Sequence, residues 1–182
     1  WGRDRGIPVH LIPAVLVSGE PASSTRIRAA LREGLVDEAA RLLGRWYRLT
    51  GEVTPGSGRG RTIGFPTANL AWPPRKVLPG RGVYATVAEI TREDGRRYGG
   101  ATNVGVRPTF GGNALSVETH LLDFSAAPSG ASLAREHMTL SFVARIRPEL
   151  AFPGPEALAR QIRDDLQRVR ELLAAEGPGI IR

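Results

Sequence analysis

The chain has 182 residues, and its 41% hydrophobic and 24% charged content is the balance of a globular protein with one domain or one domain and part of another. It contains no cysteine, which excludes disulfides, thiol chemistry and a cysteine-ligated zinc site; at this length roughly 70% of the unfolded surface can be buried without such staples. The net charge of +7 comes almost entirely from arginines spread along the chain, which predicts a general attraction for anions rather than a nucleic-acid patch, and with no signal peptide or bilayer-length apolar run the expected setting is the cytoplasm, away from membranes.

Residues 1–6 read as a loop, residues 9–17 as a strand edged by Pro13, and Gly19-Glu20-Pro21 as a turn. Ser23 or Ser24 can cap a helix that runs to about Glu33 and stops at Gly34; a second short helix covers 36–43 and ends at Gly44. A strand, a capped turn and two helices make only a fragment of an α/β unit. From Trp46 the pattern changes to β, with strands predicted over 46–53, 82–90, 97–104, 117–124 and 137–145. Asp94-Gly95 is a hairpin signal. Residues 107–113 read as a flexible segment, 126–134 as a loop of small and polar residues, and Gly177 onward as a frayed end. Residues 156–175 form one amphipathic helix with Leu158, Ile162, Leu166, Val169 and Leu173 on a single stripe. Six or so antiparallel strands and a terminal helix suggest a small closed barrel with a packed helix.

Residues 56–70 carry the strongest chemical signal. Gly56, Gly58, Gly60 and Gly64 allow close backbone approach to a ligand, and successive N–H groups in such a loop can form an anion-binding concavity. Arg59 and Arg61 add fixed positive charge suited to phosphate oxygens. Pro66 then stiffens a tight turn from which Thr67 and Asn69 emerge, two neutral oxygen ligands that suit a magnesium ion sharing its other ligands with water and a nucleotide. No Gly-Lys-Ser/Thr ending follows, and Phe65-Pro66 prevents a helix from starting straight after the glycines, so neither a Walker loop nor a dinucleotide fingerprint is present. The same residues would serve in a plain surface loop with solvated arginines.

Phosphoryl transfer to an alcohol also needs a base. If Val117, Thr119 and Leu121 pack on one face of their strand, Glu118 and His120 point to the other. On the strand pattern alone Glu118 is an ordinary solvated carboxylate and His120 a core or rim histidine.

The Pro66-Thr67-Ala68-Asn69 run, the glycine-rich stretch before it, Asn103-Val104-Gly105-Val106-Arg107-Pro108-Thr109-Phe110 and Glu118-Thr119-His120 together resemble riboflavin kinases. Arg147-Pro148-Glu149 and the Gln161-to-Asp165 part of the terminal helix are similar to that family's closing segment. The resemblance covers residues 45–175 and implies a mainly β fold: a six-stranded antiparallel Greek-key barrel with a C-terminal helix. It implies phosphorylation of riboflavin by ATP with Mg²⁺. Gly58, Arg59, Gly60, Arg61, Gly64, Pro66, Thr67 and Asn69 would lie against ATP, and Thr67 and Asn69 would hold the metal. Glu118 would act as base, and Asn103, Arg107, Pro108, Thr109 and Phe110 would form a flap over the flavin together with Glu118. Residues 1–44, through Ser23-Ser24-Thr25-Arg26-Ile27-Arg28 and Ala39-to-Arg45, resemble the last part of the FMN adenylyltransferase module that precedes the kinase in bacterial bifunctional enzymes. The expected division is therefore 1–44 as an α/β remnant and 45–182 as the kinase barrel. His10, His120 and His137 cannot supply the early histidine pair of a nucleotidyltransferase, so adenylyl transfer is not expected of this chain. A flavin-binding barrel without catalysis and a basic oligonucleotide-binding barrel are the other readings; the second would need aromatics displayed on a sheet face, and aromatics are only 6% of the chain.

Overall fold

The computed structural model describes residues 1–56, 58–91, 96–109, 112–124, 133–177 and 180, without the side chains of residues 59, 107–109, 112 and 113. After a single 3₁₀ turn at Arg3–Arg5, the chain forms β1 (Leu16–Val17), β2 (Glu20–Pro21), α1 (Ser24–Glu33), α2 (Val36–Leu43) and β3 (Tyr47–Thr54). It continues through α3 (Arg59–Thr62), β4 (Ala68–Ala71), β5 (Gly82–Ile90), β6 (Arg97–Thr109), β7 (Gly112–Leu121), β8 (His137–Arg147) and α4 (Pro155–Ala175). Among the described residues no helix is long and apolar enough to cross a membrane.

Strands β3 to β8 close into a barrel in the order β3-β4-β7-β6-β5-β8, with every pairing antiparallel. β5, β6 and β7 follow one another as neighbours and β8 returns beside β5, which is the Greek-key arrangement. Alternation on these strands sends two sets of side chains to two cores. The inner set includes Leu49, Tyr84, Val104, Val117, Leu140 and Phe142. A chain of hydroxyls crosses the barrel interior, Thr86 to Thr102 at 2.7 Å and Thr102 to Thr119 at 2.9 Å, so each has a partner. The outer set, Ala85, Val87 and Val143, is covered by Val169 and Leu173 of α4, each of which contributes about 1.5–3 kcal/mol by burial.

The helical pair is formed as its caps predict. Ser23 accepts from the N–H of Arg26, and Gly34 and Gly44 end α1 and α2 in the left-handed conformation. Ala30, Leu31, Val36 and Ala39 belong to the same core as the barrel interior. Arg145 of β8 donates to the carbonyls of Glu33 and Arg81, tying the end of α1 to the barrel. Tyr47 and Tyr84 anchor the segment after β4 through the carbonyls of Val77 and Gly80, and burial pushes both phenols above their ordinary range, Tyr84 against an opposing pull from Arg145.

Several boundaries differ from expectation. The strand expected over residues 9–17 is only Leu16–Val17, paired with Glu20–Pro21 around a turn at Ser18-Gly19 rather than at residues 19–21. Pro8 and Pro13 remove ladder donors, and Val9, Leu11, Ile12 and Val15 stay exposed. Residues 107–109 and 112–113, expected to be flexible, extend β6 and β7 in register, Pro108 opposite Asn113 and Thr109 opposite Gly112. β7 consequently starts five residues earlier than its apolar core and ends at Leu121. Two elements were not expected: the single turn α3 inside the glycine loop and the four-residue β4, which places Asn69 on a strand rather than a turn. Of the end expected to fray, Ile180 packs on the α4 side of the barrel, and residues 178, 179, 181 and 182 lie outside the described residues. The hairpin signal at residues 94–95 and nearly all of the 126–134 loop lie outside the described residues.

Candidate functional site

The site grows from one row of side chains across four strands. Val117, Thr119 and Leu121 are buried in the barrel, so Glu118 and His120 stand on its outer face. The register sets Glu118 between Asn69 on β4 and Asn103 on β6, and Asn103 beside Val83 on β5. Cross-strand neighbours lie about 5 Å apart, so one carboxylate is flanked by two amides. Thr67, one residue before β4, brings its Oγ1 to 3.5 Å from Glu118 Oε2. Glu118 is thus neither inside the barrel nor at an open rim; it is half-buried in a cavity on the outer wall.

That cavity has a volume of ≈ 550 Å³. Gly60 and Phe65 of the glycine-rich segment close one side, Val83, Asn103 and Glu118 form the floor, and Phe152, Leu158, Ile162 and Asp165 close the other side. His120 joins the first side to the floor. Its Nδ1 lies 2.8 Å from the Pro66 carbonyl, and because a carbonyl only accepts, the ring donates. Its ring meets Phe65 edge-on, with centroids 5.7 Å apart.

The glycine-rich segment is more ordered internally than a plain anion cradle. Gly58 and Gly64 take the left-handed conformation that favours glycine. A Cβ on Gly56 would lie 2.0 Å from Asn69 Nδ2, so that glycine lets the loop pack on the amide. The N–H groups of Arg61, Thr62, Ile63, Gly64 and Phe65 all donate to carbonyls of Gly58, Gly60 or Arg61. This narrows the amides able to meet a phosphate to those before residue 61. Arg61, Pro66 and Thr67 are exposed, Asn69 is buried, and Arg61 does not line the cavity. The side chains of Arg59, Arg107, Pro108 and Thr109, and all of Phe110, lie outside what is described; the backbone of 107–109 continues β6 beyond Asn103.

The opposite side carries residues that were not among the expected site residues. Asp165 of α4 is 4% exposed and accepts from Arg147 at 2.9 and 3.1 Å from Nε and 2.7 Å from Nη2, and from Gln161 at 3.0 Å. Arg147 also donates to the Pro148 carbonyl and lies 5.6 Å from the Phe152 ring centre. A Cβ on Gly105 would meet Glu149 Oε1 at 2.2 Å and Asn103 Nδ2 at 2.8 Å, so this glycine admits Glu149 next to the row of site residues. One signal was available in the sequence: Asp165 falls among Ile162, Leu166 and Val169 on the buried stripe of α4, where an unpaired carboxylate is not tolerated.

Comparison with known proteins adds the following. A family model described as flavokinase, riboflavin kinase, matches residues 43–173. The bifunctional riboflavin kinase/FMN adenylyltransferase of Pseudomonas fluorescens is 37% identical over 174 residues, covering 95% of this chain and 53% of that protein. Its counterpart in Bacillus subtilis is 41% identical over 148 residues, covering 80% and 44%. A crystal structure described as a macrolide-efflux protein from Streptococcus pneumoniae superposes with a TM-score of 0.77 at 35% identity, over 87% of this chain and 50% of that one. The chain therefore spans about half the length of the curated relatives it matches.

Proposed function

The chain belongs to the riboflavin kinase family, and on that premise we propose that it transfers the γ-phosphoryl group of ATP to the ribityl 5′-hydroxyl of riboflavin, giving FMN and ADP. One observation carries the reading. Thr67, Glu118 and Asn103 line a largely apolar cavity of ≈ 550 Å³, with Asn69 beside Glu118 on the neighbouring strand, and the volume is within the size range of sites for a ring system of this kind.

In this reading Glu118 accepts the 5′-hydroxyl proton while the ribityl oxygen bonds to the γ-phosphorus. The bond from that phosphorus to the β,γ-bridging oxygen breaks, and its electron pair leaves with ADP. The Thr67 hydroxyl donates to Glu118 and so orients the carboxylate. The hydroxyl oxygen of Thr67 and the amide oxygen of Asn69, beside a carboxylate, are the hard oxygen donors that magnesium takes, so these residues fit the ion. They would hold it, and bound with ATP it supplies neutralisation of phosphate charge. Amides of residues 58–60, with Arg59 and Arg61, serve the phosphates. The cavity's apolar walls and the β6 segment from Asn103 to Thr109, with the expected flap residues Arg107, Pro108, Thr109 and Phe110, take the isoalloxazine ring. Residues 1–44 are the end of an adenylyltransferase module docked on the barrel, and ATP as donor sets the reaction in the cytoplasm.

The test is direct: incubate the chain with riboflavin and Mg-ATP and separate flavins by chromatography. FMN should accumulate with an equal amount of ADP. Flavin that binds without becoming phosphorylated would replace this reading with that of a non-catalytic flavin-binding barrel.

A further inference from the structure

We propose that His120 is a positioning residue: its Nδ1–H bond to the Pro66 carbonyl sets the spacing between the strand that carries Glu118 and the turn that carries Thr67. The inference rests on the kinase reading above.

The ladder between β4 and β7 has its first rung at Ala68 opposite Thr119, so it does not reach Thr67. Pro66 has no N–H, so its own main chain can be tied to β7 only through its carbonyl. His120 stands two residues beyond Glu118 on the same face and takes that carbonyl at 2.8 Å. The contact between Thr67 and Glu118, at 3.5 Å, is at the long limit for a hydrogen bond and too weak to define the spacing by itself. Phe65, edge-on to the imidazole, restricts the ring from its other side. Among the described contacts, the histidine bond at 2.8 Å is shorter than the hydroxyl–carboxylate contact at 3.5 Å and ties the turn to β7 on the Thr67 side, beyond the end of the ladder. Both the Nδ1–H neutral tautomer and the imidazolium make it, so what the site needs is a donor at that atom, not a charge. Misplacing catalytic groups by about 1 Å can cost on the order of 100-fold in rate.

Steady-state kinetics of His120→Ala, His120→Asn and His120→Gln test this, each variant checked by circular dichroism and thermal melting. Asparagine puts an N–H at the place of Nδ1; glutamine puts it nearer Nε2. Alanine and glutamine should lower kcat by about 10- to 100-fold and raise the KM for Mg-ATP, with the riboflavin dissociation constant, read by fluorescence quenching without nucleotide, changing less than about twofold. Asparagine should recover kcat to within about fivefold of the wild type. Alanine at the wild-type kcat, asparagine no better than alanine, or riboflavin affinity falling in step with kcat would each overturn the inference. If alanine does not fold, asparagine and glutamine decide it: equal activities overturn the role. A wild-type chain that makes no FMN overturns the kinase reading as well, whereas variants indistinguishable from an active wild type sink this inference alone.

Discussion

The two sides of the cavity are held by opposite means. On the α4 side, Arg147 and Asp165 form a nearly buried, forked ion pair with three contacts between 2.7 and 3.1 Å, and Gln161 braces the carboxylate. On the glycine-loop side, Pro66 and Thr67 are exposed, the hydroxyl meets Glu118 at 3.5 Å, and most loop amides bond only to their own loop. The contrast follows from what each side has to do. A wall that shapes an apolar slot gains from a rigid, desolvated clamp. In the proposed reading this side admits triphosphate and a cation and must rearrange as charge arrives, which neutral and partly solvated bonds permit.

Breaking the loose side at the carboxylate proposed to react should give the largest effect. Glu118→Gln keeps shape and neighbours but removes the proton acceptor, so kcat should fall by about 10²- to 10⁴-fold in steady-state assays. Riboflavin affinity and thermal stability should stay near wild type, since the group is half-buried and the amide keeps its shape. Losses of equal size in kcat and in flavin affinity would mean that Glu118 shapes the site rather than reacting in it. Breaking the rigid side should instead be read in stability. Asp165→Ala leaves the Arg147 guanidinium, only 14% exposed, without its counter-ion, and should cost about 3–5 kcal/mol in urea denaturation. A cost under about 1 kcal/mol would show that water reaches the clamp and that the two sides are held alike.

The same contrast explains what the sequence could and could not disclose. Everything set by period or cap was legible: the Ser23 cap, the Gly34 and Gly44 stops, the inward turn of Val117, Thr119 and Leu121, and hence the outward turn of Glu118. The gathering of Thr67, Asn69 and Glu118 was expected from the motif, but not its cause. Ala68–Ala71 is too short to show an alternating pattern, so the strand that sets Asn69 opposite Glu118 was hidden. The Arg147–Asp165 clamp joins two segments far apart in sequence, and pairing between distant charges leaves no local pattern; only the misplaced carboxylate on an apolar stripe hinted at it. The failed strand over residues 9–17 shows the converse. Its composition is that of a strand, but two prolines and the absence of a long partner leave those residues in the open.

A second forked pair allows the comparison to be made with nearly constant chemistry. Asp123, in the turn after β7, accepts from Arg170 of α4 at 2.7 and 2.9 Å, yet the carboxylate is 74% exposed. Its hydrogen bond to Arg170 holds the carboxyl below the ordinary range, against a smaller opposing effect of desolvation. The folded chain therefore binds fewer protons at this site than the unfolded one. The stability gained is present above the unfolded value of about 3.9 and is lost as pH falls through the lower folded value. Asp123 sits at a φ of 54°, a conformation that asparagine also tolerates, so Asp123→Asn removes the charge with little change in backbone strain. Urea denaturation should show the variant less stable by about 0.5 kcal/mol at about pH 7, with the gap closing as pH falls below the unfolded value and shrinking in high salt. A cost approaching that of Asp165→Ala would mean that fork geometry, not burial, decides what such a pair contributes; a cost near the exposed-pair value ties the rigidity of the α4 wall to its exclusion of water.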